Sequence, residues 1–219
     1  MNVARLRTIL LAMLIIPTLV LAAGEQSLVS DLQRDWAIAN YQLSGDEQEA
    51  AFEALIERSD AVVARNQGSA DLLIWNGIIK SSYAGAKGGL GALGLAKDAR
   101  KSLEKALDLD SEALDGSAYA SLGTLYSKVP GWPVGFGDDK KALKLLTKAL
   151  EINPDGIDSN YFYADYLLEQ KEFEEAEKYL IKAQNAQQRP DRPIADAGRQ
   201  EEIQVALSIA RAKLKRSSS

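Results

Sequence analysis

The 219-residue chain carries 31 acidic and 26 basic side chains but no cysteine and no histidine, and those two absences set what chemistry its residues could do. Without them there is no thiol nucleophile, no serine–histidine relay and no zinc site of the ordinary Cys/His kind. Disulfides are absent as well, so packing alone must hold the fold. Paired carboxylates could still act as general acid and base. The densest acidic stretch, however, sets Glu172, Glu174, Glu175 and Glu177 among Lys171 and Lys178, the pattern of a solvated helix face. Gly89, Gly91 and Gly94 have the G-x-G-x-x-G spacing of a dinucleotide-binding turn, but that turn needs a strand before it and a crossover to another strand. The preceding DLLIWNGIIKSSYA reads as helix and no strand follows. The Gly88–Gly94 segment is therefore expected to be a flexible connector or a glycine-rich helix start. No catalytic residue, metal ligand or cofactor is expected.

One loop has the residues for binding. Pro130-Gly-Trp-Pro-Val-Gly-Phe-Gly137 fixes an irregular path with prolines and glycines and carries two large apolar side chains, Trp132 and Phe136. These either fold back over the neighbouring helices or line a ligand pocket or partner surface. Asp138 follows as an expected N-cap of the next helix.

Helices must position this loop. No run alternates Val, Ile and Thr as a strand would, and helix formers dominate between breakers. The pattern predicts helices near 27–43, 46–65, 70–84, 95–108, 116–128, 139–152, 157–169, 172–186 and 194–215. A small residue, a large apolar residue four on and an alanine three further recur as Ala99, Leu103, Ala106, as Ala142, Leu146, Ala149 and as Ala176, Leu180, Ala183. A degraded form is Ala51, Leu55. Small residues at helical spacing mark close helix–helix contacts. Each first helix supplies its own small residue: Ala39, Gly77, Gly123 and Ala164. A recurrence of this length signals stacked helical hairpins rather than one globular core. The last helix has no partner, and Ile203, Ala206, Leu207, Ala210 and Leu214 form one stripe, as expected of a cap over the open end of the stack. Its terminal Arg211, Lys213, Lys215 and Arg216 complement the helix dipole.

These residues resemble the tetratricopeptide repeat. The unit at 157–190 is similar to one, and that at 116–156 is similar to one with seven extra residues between its helices. The unit at 70–115 would have ten extra, and the one near 27–65 is degenerate. The expected fold is all-α, a helical-hairpin α-solenoid with a C-terminal capping helix. In such arrays one face of the first helices lines a concave groove. The resemblance thus implies a groove at Asp158, Tyr161, Asp165 and Glu169, continued by Ser117, Thr124 and Lys128, acidic and tyrosine-bearing. The Gly-Asp-Asp before KKAL, the alanine helices and the long connectors also resemble periplasmic TatT-type components associated with TRAP transporters. That likeness implies partnership with a substrate-binding protein and a hydrophobic ligand channel. The segment QQRPDRPIADAGRQEEI has no chemical role on sequence grounds.

Residues 1–23 read as a signal peptide: Arg5 and Arg7, an apolar run from Ile9 to Val20 broken by Pro17, then a small-residue exit. Cleavage is expected before Ala23 or Gly24, with no cysteine for lipid attachment and no stable membrane anchor afterwards. Losing Arg5 and Arg7 takes the formal charge from −5 to −5 − 2 = −7, which disfavours nucleic acid and anionic membranes as partners. The expected organisation is signal peptide 1–23, a degenerate hairpin over 24–69, three hairpins over 70–190, and a capping helix and tail over 191–219. The expected function is an exported, periplasmic or secreted, non-catalytic scaffold binding a protein or peptide. A second copy of the chain is another open partner. The alternative is a ligand-binding accessory component of a transporter, carrying a small or apolar molecule.

Overall fold

The computed structural model describes residues 16–217 and is all-α: α1 Ile16–Tyr41, α2 Gly45–Arg65, α3 Ala70–Lys87, α4 Gly89–Leu109, α5 Ala113–Lys128, α6 Asp139–Ile152, α7 Ile157–Glu169, α8 Phe173–Asn185 and α9 Pro193–Ser217. The basic start and the first part of the apolar run lie outside the described residues. From Ile16 onward that segment belongs to α1, and the expected cut at Ala23 or Gly24 falls within this helix. No helix among the described residues is long and apolar enough to cross a membrane.

Successive helices pair as hairpins, and the small-residue code accounts for how closely they approach. Ala99, Leu103, Ala106, Ala142, Leu146, Ala149, Ala176, Leu180 and Ala183 are all buried. A methyl group built on Gly77 would lie 2.6 Å from Leu103 Cγ, and one on Gly123 would lie 2.7 Å from Leu146 Cγ. In these two hairpins the central leucine of the second helix thus fills the notch left by the glycine of the first. The hairpin at 24–69 departs from the code. Ala51 is only partly buried, and Phe52, Leu55 and Ser59 make the buried face of α2. Phe52 stacks on Tyr83 of α3 with ring centroids 5.6 Å apart. A phenylalanine in place of an alanine ties α2 to the next hairpin rather than drawing it tightly onto α1.

The two insertions take different forms. The ten extra residues of the third-from-last unit lengthen helices instead of forming a loop: α3 has 18 residues and α4 has 21. Gly88 and Gly89 reverse the chain between them with φ of +61° and +64°, a backbone region that glycine enters without a steric penalty. The glycine-rich segment is therefore a helix start, with Gly91 and Gly94 inside α4. The seven-residue insertion is a true loop between α5 and α6. Gly137 N–H donates to Pro130 O at 3.0 Å, Val134 N–H to Gly131 O at 3.2 Å, and Asp138 N–H to Tyr126 O at 2.9 Å. Asp138 caps α6, accepting from the N–H groups of Lys140 and Lys141 at 3.0 and 3.1 Å.

Helix α9 does more than cap the stack. Its second half buries Ile203, Ala206, Leu207 and Ala210 against Ile157, Ala164, Leu180 and Ala183 of α7 and α8, as the stripe requires. Its first half reaches across the array to α1. A methyl group on Gly198 would lie 2.3 Å from the Tyr41 ring, and Tyr41 Oη donates to Glu202 at 3.4 Å. The last helix therefore packs on the first, and the curved array closes on itself.

Candidate functional site

Closure turns the concave face into a partly enclosed cavity of about 470 Å³. The space exists because the inward positions of its long helices are small: Ser81, Ala84 and Gly85 on α3, Gly89, Ala92 and Ala96 on α4. Larger apolar groups form the rest of the wall, among them Trp36 of α1, Trp75 and Ile78 of α3, Leu125 of α5 and Phe162 of α7. Trp36 and Trp75 meet edge-on with ring centroids 5.5 Å apart. Trp36 Nε1 donates to Ser82 Oγ at 2.8 Å, whereas Trp75 Nε1 has no acceptor.

One end of the cavity is a charge cluster assembled from α7, α9 and the turn between α8 and α9. Arg189 Nη1 donates to Asp158 at 2.7 Å and its Nε to Asp196 at 2.8 Å. Arg199 Nε donates to the other Asp158 oxygen at 2.9 Å, and its Nη1 to Glu202. The Arg199 guanidinium also lies 4.4 and 4.5 Å from the ring centroids of Tyr161 and Phe162, close enough for cation–π attraction. Burial works against ionisation of Asp158, but Arg199, Arg189 and Arg192 outweigh it and hold its carboxyl well below the usual range. Burial pushes the Glu202 carboxyl up and the Tyr161 phenol up to about 12. Among the described residues no group of three or more acidic, His or Cys side chains could hold a metal ion.

The expected groove residues divide between this cluster and the wall opposite. Ser117, Thr124, Lys128 and Asp158 line the cavity, so the inward faces of α5 and α7 do look onto one space. The expected free acidic character is absent, because those charges are met within the chain. Asp158 is clasped by two arginines. Lys128 Nζ sits 2.7 Å from Asp165 and 2.5 Å from Glu169. Burial alone would lower the Lys128 pKa, but these two carboxylates raise it. Tyr161 does not lie on an open face, since it packs with the apolar residues under α9 as well as against Arg199. Ser117 and Thr124 return their hydroxyls to backbone carbonyls of Leu114 and Ala120 at 2.6 and 2.9 Å.

The aromatic loop divides too. Phe136 packs edge-on against Tyr126 at 5.4 Å, with the Arg100 guanidinium 4.5 Å from its centroid. Trp132 is 90% exposed and Val134 65% exposed, beside the cavity mouth that Val129, Pro130 and Val134 help to form. Sequence reasoning missed Trp36, Trp75, Arg192 and Arg199. The available signal was the density of charge in QQRPDRPIADAGRQEEI, where Asp196, Arg199 and Glu202 repeat every three residues on one side of a helix.

Residues 135–197 match a family model described as tetratricopeptide repeat. No curated protein matches the chain. Solved structures are similar to it, two of them as follows. One, described as the crystal structure of MamA, is 18% identical over 78% of this chain and 94% of that one, with a TM-score of 0.44. The other, described as the crystal structure of MamA protein, is 17% identical over 88% of this chain and 95% of that one, with a TM-score of 0.43.

Proposed function

We propose that this helical-repeat protein is an exported interaction scaffold, without catalytic activity, that holds a partner protein or peptide at the mouth of its concave face. The observation that supports this best is Trp132, exposed on a loop whose own backbone hydrogen bonds hold it in place. Binding energy concentrates in aromatic anchors, and a fixed loop loses little entropy when it binds. Loss of such an anchor costs about 2 kcal/mol or more, roughly a thirtyfold weakening. A photo-crosslinking residue at position 132 is expected to give one defined covalent adduct in intact cells, and the same residue at Val205, on the outside of α9, is expected to give none. Identical adducts from both positions, or none from either, would overturn the reading.

Export is part of the proposal and rests on the Arg5/Arg7 start and the apolar run after it. The intact mass of the exported protein should correspond to a chain beginning at Ala23 or Gly24. Recovery of the full-length chain in the membrane fraction would refute it.

The cavity favours a second reading, a ligand-binding accessory component of a TRAP-type transporter that partners a substrate-binding protein and carries a small or apolar molecule. Its volume of about 470 Å³ lies within the roughly 300–1,000 Å³ of small-molecule sites, and such sites pair apolar walls with a few placed polar groups.

A further inference from the structure

We infer that the charged end of the cavity is a seat for one carboxylate, so that the molecule carried is an amphiphile with a single acidic head and an apolar body. This rests on the second reading above and specifies its ligand. Two buried donors at this end lack acceptors. Trp75 is 2% exposed, and its indole N–H has no partner, although buried polar groups are nearly always paired. Arg192 Nε is likewise buried and unpartnered. Both side chains line the cavity, and the Arg192 guanidinium stands 5.0 Å from the Trp75 ring centroid.

Asp158 and Asp196 attract Arg192 through space, but among the described residues no carboxylate bonds its guanidinium. Asp158 is shared by Arg189 and Arg199, Asp196 is taken by Arg189, and Glu202 is taken by Arg199. Unlike Arg189 and Arg199, Arg192 makes no side-chain hydrogen bond or ion pair among the described residues; its backbone N–H donates to Arg189 O and its carbonyl accepts from Asp196 N–H, each at 3.0 Å. Burial pulls its pKa down against the attraction of Asp158 and Asp196, whereas Asp158 and Asp196 raise that of Arg189 and Tyr41, Asp158 and Glu202 raise that of Arg199. A guanidinium offers a planar fork of N–H donors that matches the two oxygens of a carboxylate. Trp75, with its unpartnered N–H, is a second donor-bearing side chain of the same cavity wall. A head of higher charge would find no further free cation at this end, because Arg189, Arg199 and Lys128 already hold carboxylates of the chain.

The rest of the wall suits an apolar body. Trp36, Ile78, Leu93, Leu125 and Phe162 face the space; of the polar side chains on the same wall, Ser81, Ser117 and Thr124 return their hydroxyls to backbone carbonyls, and the Trp36 indole is satisfied by Ser82. The proposed ligand therefore lies with its acidic head at Arg192 and its chain among these side chains. The alternative occupant is ordered water on the two donors.

Calorimetric titration of the purified chain with decanoate and with 1-decanol separates these cases, since the two probes share a hydrocarbon body and differ in head group. Decanoate is expected to bind at least tenfold more tightly than decanol. Arg192→Gln should abolish that preference while leaving decanol affinity unchanged and the melting temperature little changed, because the Arg192 side chain makes no hydrogen bond or ion pair among the described residues and gives up only its contact with the Trp75 ring and its attraction for Asp158. Trp75→Phe keeps an aromatic ring and should weaken decanoate alone. Equal affinities in the unaltered chain, or a preference that survives Arg192→Gln, would overturn the carboxylate seat and leave an apolar carrier standing. Absence of binding by either probe would overturn the carrier reading as well and assign the two donors to water.

Discussion

Replacing Arg199 with leucine is expected to destabilise the folded chain by about 3–5 kcal/mol, the usual cost of removing one partner from a buried ion pair. Arg199 is 8% exposed and serves Asp158 and Glu202 together, so its loss leaves Glu202 without its cation and Asp158 with Arg189 as its remaining ion pair at the cavity end. Those carboxylates keep some contact with solvent, which places the expected value toward the lower end of the range. For a chain of this size the melting temperature should fall by roughly 6–20 °C. Arg211→Leu is the control: its pair with Glu177 also joins α9 to α8, but Arg211 is 53% exposed, and exposed pairs contribute about 0–1 kcal/mol. Thermal melts of the two variants compare them directly. Similar losses would mean that the cluster does not hold α9 against α7 and α1.

The same cluster sets a pH dependence whose sign is fixed by Asp158. Its native pKa lies below the unfolded value of about 3.9. The stability it contributes is fully present above that unfolded value and is lost as pH falls through the depressed native one. Glu202 acts in the opposite sense: its native pKa is raised by burial, so keeping it ionised costs stability at neutral pH, and acid relieves that cost. Asp158→Asn should therefore flatten the acid limb of the stability profile. An unchanged acid limb would show that the Asp158 pairs are not formed in solution.

Ala149→Leu is expected to cost about 1–3 kcal/mol or more by overpacking. Ala149 is buried on α6, one turn beyond the Leu146 that fills the Gly123 notch, and three added carbons have no space there. Glu174→Leu, on the exposed face of α8, should change stability by no more than about 0.5 kcal/mol. Denaturant unfolding of both variants measures the difference. Equal effects would refute the hairpin register on which the fold rests.

How much of this was legible in sequence differs from residue to residue. The triplets from Ala99 to Ala183 announced the hairpins because helix packing distance is recorded in side-chain size at i, i+4 and i+7, which is local information. Asp138 announced its helix for the same reason, since a cap acts within three residues. Ala51 misled because the alanine code holds only where a second helix needs close approach; beside it, Phe52 takes an aromatic partner from another hairpin. Asp158, Tyr161 and Asp165 were placed on the right helix, but their helical spacing says nothing of which cations face them.

Trp132 and Phe136 show the same boundary. Their sequence neighbourhoods are equivalent, yet Phe136 is covered because Tyr126 and Arg100 stand beside it, and Trp132 projects because nothing does. Local pattern along the chain was enough for the all-α class, the hairpins and the terminal helix that covers them, each of which follows from residues within a few turns of one another. The closure of α9 onto α1, the cavity that closure creates and the pairing of Asp158 with Arg189 and Arg199 were decided only by the tertiary structure. They depend on the accumulated curvature of successive hairpins, which brings Tyr41 to Gly198 and Glu202. Curvature is a sum of many small packing angles, and no short-range pattern of residues records that sum.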